Sequence, residues 1–292
     1  MPRPWLNLWR NQWQQLKNNM NNIFALQYDL RHSVTGIIPK YASALSAKID
    51  KYLADGMPMM EPDSGSVLND AADIQGSTAI ITLEGVICKR VGLPQEVCDF
   101  LGICDLDIVD VQLKEVLQDD SITSVILHVT SPGGYVQGLQ STYDLISQME
   151  AKKETVVYSD LLNASAAYYI SCAASSILAS IDADIGAIGQ YCTIEDYSKM
   201  LDNEGIKVRM FKSGKYKGLG DPTQMLTDEQ AAYIQSEVDK GGAEFRTVVS
   251  KTRSIEENNM QGQMFRGQEA IDKGFIDGIV PDITEVLALL NS

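Results

Sequence analysis

From Thr78 onward the chain alternates short β-branched runs with stretches of helical spacing, an order that restricts it to an α/β architecture on a largely parallel sheet. Ala79-Ile80-Ile81-Thr82-Leu83 reads as the first core strand, and Ser124 to Thr130 is apolar enough for a sheet covered on both faces. Further strands are expected at 155–159, 177–180 and 208–211. Helices are expected at 109–117, 135–149, 164–175, 193–205, 227–252 and 267–273, followed by a short final strand and helix. Between the first strand and the first helix, Val86 to Ile108 holds Pro94, three cysteines and several glycine-marked bends, and reads as an irregular excursion over the surface. Neither pattern nor spacing reveals an internal repeat.

The charge divides the chain. Residues 1–51 contain seven Lys/Arg and two Asp/Glu, a net of +5, so the remainder carries −15 − 5 = −20. This bulk acidity argues against a nucleic-acid binder. The basic segment holds all three tryptophans, Trp5, Trp9 and Trp13, on a helical stripe continued by Leu16, Met20 and Ile23. A helix through residues 1–24 fits a membrane surface or an acidic partner, but fits packing on its own protein or a neighbouring subunit better, because aromatic stripes are usually core. A second helix is expected from Tyr41 to Leu53, and Pro58 to Gly76 reads as a linker. The boundary is therefore drawn between a helical N-terminal extension, 1–75, and a second domain, 76–292. No stretch approaches the ~18 apolar residues of a membrane span, and no secretory signal is visible, so a cytoplasmic chain is expected. Five cysteines without a CxxC pair read as free thiols, with no metal site and no cofactor.

Three stretches can carry chemistry. Asn163-Ala164-Ser165-Ala166-Ala167-Tyr168 follows a β-rich run and opens a helix of small and aromatic residues, which puts Ser165 at a strand-to-helix turn. There it is either a helix cap or a nucleophile, whose oxyanion the first helical N–H groups would favour. Ser131-Pro132-Gly133-Gly134 ends a strand, where open α/β sheets bind ligands, although Pro-Gly-Gly is also a common structural turn. Lys212-Ser213-Gly214-Lys215-Tyr216-Lys217-Gly218 is a solvated basic loop unless burial lowers one ammonium toward neutrality and makes it a base. Of the two histidines, His32 lies in the extension and His128 sits on the strand before Ser131, where it reads as a partnered sheet histidine or, alternatively, as the base of a triad.

In this order the three motifs closely resemble the signal peptide peptidase A family of serine proteases, over about residues 76 to 290. The resemblance implies a Clp-protease/crotonase-like fold, a repeated ββα superhelix. It also implies a Ser-Lys dyad, with Ser165 as nucleophile and Lys217 as general base. Gly134 and the N–H of Ala166 would form the oxyanion hole, Gly133 would shape the turn, and Ser213 would help orient the lysine. Ser165-Ala166-Ala167 stands where cellular members commonly have Ser-Gly-Gly, and is similar to the phage and prophage branch. The function implied is that of a prohead protease that degrades scaffold and trims capsid proteins, working as a homo-oligomer in the host cytoplasm or prohead interior. The competing readings are a cellular signal-peptide-peptidase-like protease, a crotonase-type acyl-CoA enzyme and a catalytically silent assembly homologue.

Overall fold

The computed structural model describes residues 22–23, 26, 35–37, 39–55 and 71–291. The tryptophan stripe, His32 and most of the expected linker lie outside the described residues. Strand β1 (Thr35–Ile37) leads into helix α1 (Pro39–Asp55). A hairpin of β2 (Asp73–Gln75) and β3 (Thr78–Glu84) then opens a succession of strand pairs, each closed by a helix. The first unit is β3, β4 (Val86–Cys88), an inserted α2 (Gln95–Leu101) and β5 (Ile103–Asp105), then α3 (Leu106–Gln118). The second is β6 (Ser124–Thr130), β7 (Gly133–Tyr135) and α4 (Leu139–Glu150). The third is β8 (Glu154–Ser159), β9 (Leu162–Ala164) and α5 (Ala166–Ser171). A fourth strand pair follows, β10 (Ser176–Ala179) and β11 (Asp184–Gly186).

The leading strand of every unit joins one six-stranded sheet, in which β3, β6, β8 and β10 run parallel and β2 forms an antiparallel edge. The trailing strands turn out of that sheet: β4 and β7 pair with each other, and β9 pairs with β11. This is the ββα repeat that the fold resemblance implies, and it is carried by geometry rather than by repeated residues. Alternation along β6 divides its two faces. Val125, Leu127 and Val129 enter the main core with Ala79, Ile81, Val157 and the α5 residues Ala166, Ala167 and Tyr168. Ile126 faces the other way, with Ile80, Val156 and Tyr158.

The remaining elements are α6 (Ser198–Asn203), the long α7 (Asp228–Val249), β12 (Met264–Phe265), α8 (Gly267–Asp272), β13 (Gly278–Ile279) and α9 (Ile283–Leu290). Helix α7 starts at a complete capping box between Thr227 and Gln230. Among the described residues no helix is long and apolar enough to cross a membrane.

Several local expectations are corrected. The stretch from Val86 to Ile108 is not a surface excursion. Pro94 and Gly102 are the caps of α2, and Val86, Cys88, Val97, Cys98, Leu101 and Ile103 form a second buried cluster with Leu45, Ile49 and Tyr52 of α1. Its turn residues mark helix ends that the run of glycines and cysteines obscured. Val208 to Phe211 has strand-like residues but forms no ladder, and Phe211 is 91% exposed. Strand propensity without a sheet edge to join does not make a strand. The expected helix at 193–205 is confined to α6, and the one at 135–149 begins only at Leu139, because Tyr135 completes β7.

The thiols give a direct check on this packing. Burial pushes the thiols of Cys98, Cys104 and Cys172 up to about 12, whereas Cys192 is only half-buried. A disulfide-exchange reagent at pH 8 should therefore modify Cys192 alone in the native protein, and the four buried cysteines only on unfolding. Rapid reaction of the native Cys192→Ser variant would contradict the placement of 86–108.

Candidate active site

Two parallel strand ends set the site. The Ser131 N–H donates to the Leu162 carbonyl at 2.8 Å, and the Ala164 N–H donates to the Ser131 carbonyl at 3.1 Å, so Ser131 lies beside Asn163. Two residues further along each chain come Gly133, which opens β7, and Ser165, which follows β9. The buried Ser131 hydroxyl fastens the turn: it donates to the Gly85 carbonyl at 2.7 Å and accepts the Gly133 N–H at 3.2 Å. The sequence reading gave Ser131 no role, though a serine two residues before a backbone amide is a known turn-former.

Gly133 has φ +88°, open to glycine at little cost. Gly134 is fixed for a different reason. A Cβ there would lie 1.9 Å from the Ile87 carbonyl oxygen, so β4 can approach β7 only if residue 134 has no side chain.

Ser165 sits between β9 and α5 with φ +54° and ψ −118°, a conformation that a residue with a side chain adopts only under strain. Its N–H donates to the Gly186 carbonyl at 2.7 Å, and its carbonyl accepts the Tyr169 N–H at 2.9 Å, so its backbone is pinned on both sides. Its side chain makes no capping hydrogen bond, which removes the cap reading. Oγ makes only a long contact, 3.4 Å, to the Gly189 carbonyl. The residue is 3% exposed at the base of a cleft of about 550 Å³, whose walls include Ile188, Tyr191, Val238, Arg246 and Met264. An apolar recess of about 290 Å³ adjoins it beside Ala166, lined by Val136, Leu139, Tyr169 and Phe245. Ala166 is the first residue of α5, and its amide has no acceptor within the helix.

The turn is supported from behind. Asn163 and Ser171 hydrogen-bond to each other across α5, and the Tyr168 hydroxyl donates to the Phe275 carbonyl at 2.8 Å. The buried Arg253 donates to the Ala174 and Ser175 carbonyls and to Asp277. On the far wall, Ala187 with φ +53° and Gly189 with φ +146° bend the chain past Ser165. Arg253 and Asn163 gave no signal of these roles in the sequence.

Ser165 and Ala166 are thus brought close to the Gly133-Gly134 strand, on which α5 packs, though neither glycine lines the cleft or the recess. Lys217 and Ser213 are not: both are exposed on the loop before α7, and neither lines the cleft. That loop is held to α7 by the Lys215–Glu229 ion pair and by stacking of Tyr216 on Tyr233 at 4.6 Å. Among the described residues, Nζ of Lys217 has no hydrogen-bond or ion-pair partner.

His128 lies on the face of β6 opposite the one that packs on α5. It stacks on Tyr158, with Nε2 3.5 Å from Asp160. Among the described residues no cluster of His, Cys, Asp and Glu could hold a metal ion.

Residues 147–291 match the model of peptidase family S49, a span that includes Ser165 and Lys217. A putative protease of Methanocaldococcus jannaschii is 31% identical over 171 residues, covering 57% of this chain and 55% of the relative. The capsid assembly protease C of Escherichia phage lambda is 24% identical over 221 residues, covering 75% of this chain and 50% of the phage protein. The chain therefore spans about half the length of these curated relatives. Among solved structures, an enoyl-CoA hydratase/isomerase family protein from Silicibacter pomeroyi aligns with a TM-score of 0.45 and 13% identity, over 75% of this chain and 79% of its own.

Proposed function

We propose, from the match of residues 147–291 to the model of peptidase family S49, that this chain is a serine endopeptidase with Ser165 as nucleophile and Lys217 as general base. The observation that supports this best is the strained, pinned and uncapped Ser165 beside the Gly134 strand. Strain of this kind at a strand-to-helix turn serves to expose a nucleophile. In the reaction, neutral Lys217 takes the Ser165 proton as Oγ bonds to the peptide carbonyl carbon. The backbone amides of Gly134 and Ala166 hold the oxyanion. As the C–N bond breaks, the lysine returns its proton to the leaving amine. Water then repeats the addition on the acyl-enzyme and releases the new carboxyl group.

A lysine acts as a base only when it is desolvated, and on the single chain Lys217 is exposed. Either its loop closes over the cleft or a neighbouring copy presents it, and the homo-oligomer expected from the family resemblance favours the second. Lys217→Ala is expected to lower turnover by about 10²–10⁴-fold. Mixing Lys217→Ala chains with Ser165→Ala chains should then restore activity that neither has alone. A dead mixture would place the lysine in cis, and full activity of Lys217→Ala alone would remove it from the mechanism.

The similarity to a phage capsid assembly protease, which reaches over more of the chain than the family model does, supports capsid and scaffold proteins as substrates. The basic tryptophan segment would dock on such a partner, and 76–292 would be the catalytic domain. The test is coexpression of wild type and Ser165→Ala with candidate capsid and scaffold chains, followed by mapping of the new termini. Identical products from both would exclude the serine.

A further inference from the structure

Strand β7 has two edges. One faces β4, and the other, which a strand-end binding site would leave open, is filled by β1 in antiparallel register: Thr35 opposite Tyr135, Gly36 opposite Gly134, Ile37 opposite Gly133. An extended peptide that adds to a sheet edge binds through this main-chain ladder. Gly36 thus stands directly across from the residue whose amide the proposed chemistry needs. We infer that Thr35–Ile37 is a resident occupant of the substrate's strand position, so that the chain itself blocks the β7 edge until this strand is displaced; the inference rests on the peptidase reading of the same site.

The segment is built for such occupancy. Downstream, α1 is anchored by Leu45, Ile49 and Tyr52 in the second cluster, and upstream the Leu26 carbonyl accepts the Tyr135 hydroxyl at 3.2 Å. Tethered at both ends, β1 meets β7 at an effective concentration of about millimolar, high enough to exclude a weak peptide without binding tightly itself. With only three residues in the ladder, it yields to a longer strand or to one brought in by a docked protein. The sequence there, Val34-Thr35-Gly36-Ile37-Ile38, is β-branched and apolar, as an edge-adding peptide requires.

The test uses the full chain in the Ser165→Ala background, which isolates binding from catalysis. The probe is a fluorescein-labelled peptide, Ser-Val-Thr-Gly-Ile-Ile-Pro-Lys, the sequence of residues 33–40. Gly36→Pro, or Ile37→Pro if melting shows the first variant to be unstable, prevents β1 from pairing. Either is expected to tighten peptide binding by about tenfold over the Ser165→Ala parent, because an occupied site weakens apparent affinity by its free fraction. With Ser165 present, the same substitution should raise the initial rate of labelled-casein cleavage by a similar factor. Equal peptide affinity in parent and variant, or no binding to either, overturns the inference. Tighter binding with no cleavage by any serine-containing chain keeps it and overturns the peptidase reading instead.

Discussion

Ser165→Gly is expected to raise the melting temperature while abolishing peptide hydrolysis. The serine holds φ +54° and ψ −118°, a conformation that costs a residue with a side chain on the order of 1–3 kcal/mol. Glycine enters it freely but gives back roughly 0.5–1 kcal/mol through the greater entropy of its unfolded chain. The net gain lies between about 0 and 2.5 kcal/mol, centred near 1 kcal/mol, or a few degrees in Tm for a domain of this size. Little is lost in exchange, since Oγ makes only the long contact to Gly189. Ser165→Ala keeps the strain and should melt with wild type, and both variants should lose at least about 10⁴-fold in turnover. Paired melting and turnover curves separate the two effects. If the glycine variant proves less stable than the alanine variant, the conformation is not strained as argued.

Gly134→Ala is expected to damage both stability and activity. The added methyl would lie 1.9 Å from the Ile87 carbonyl oxygen and 2.6 Å from the Ile87 nitrogen and carbonyl carbon, so β4 must move as backbone. Overpacking against a buried strand of this kind costs about 3 kcal/mol. Displacing the amide from the oxyanion position costs a further 10²–10³-fold in turnover, as an order of magnitude. Gly76→Ala is the control. There φ is +68° but nothing lies within 4 Å, so only the backbone penalty of about 1 kcal/mol is felt and turnover is unchanged. Equal losses at the two positions would mean that the approach of β4 to β7 is not what fixes Gly134.

The strands of the large sheet were legible because their apolar residues leave no other reading: Ser124 to Thr130 and 155–159 appear within a residue of where the pattern puts them. The strands turned out of that sheet were not. β4, β7, β9 and β11 are three residues each, two of them containing glycine, and are defined by their partners rather than by their own propensity. The same limit applies at the candidate site. The turn residues Gly133, Gly134 and Ser165 announced themselves through small side chains at a strand end. Ser131, Asn163 and Arg253 act by hydrogen bonds to carbonyls and side chains far away in sequence, which no local pattern encodes. Lys217 is the converse: a motif singles it out, yet among the described residues nothing holds its side chain.

The supports behind Ser165 have a consequence in time. A ribosome makes Ser165 and its helix first, but the Phe275 carbonyl that takes the Tyr168 hydroxyl, and the Arg253–Asp277 pair that holds the Ala174 and Ser175 carbonyls just beyond that helix, come about a hundred residues later. At typical elongation rates of ~5–20 residues per second, Ser165 is on the chain for several seconds before its buttress exists. During that interval the turn can form its backbone bonds to Tyr169 and Gly186 but lacks the support from residues 253–277. On the proposed function, a growing chain would therefore carry the serine well before the turn that presents it is fully buttressed.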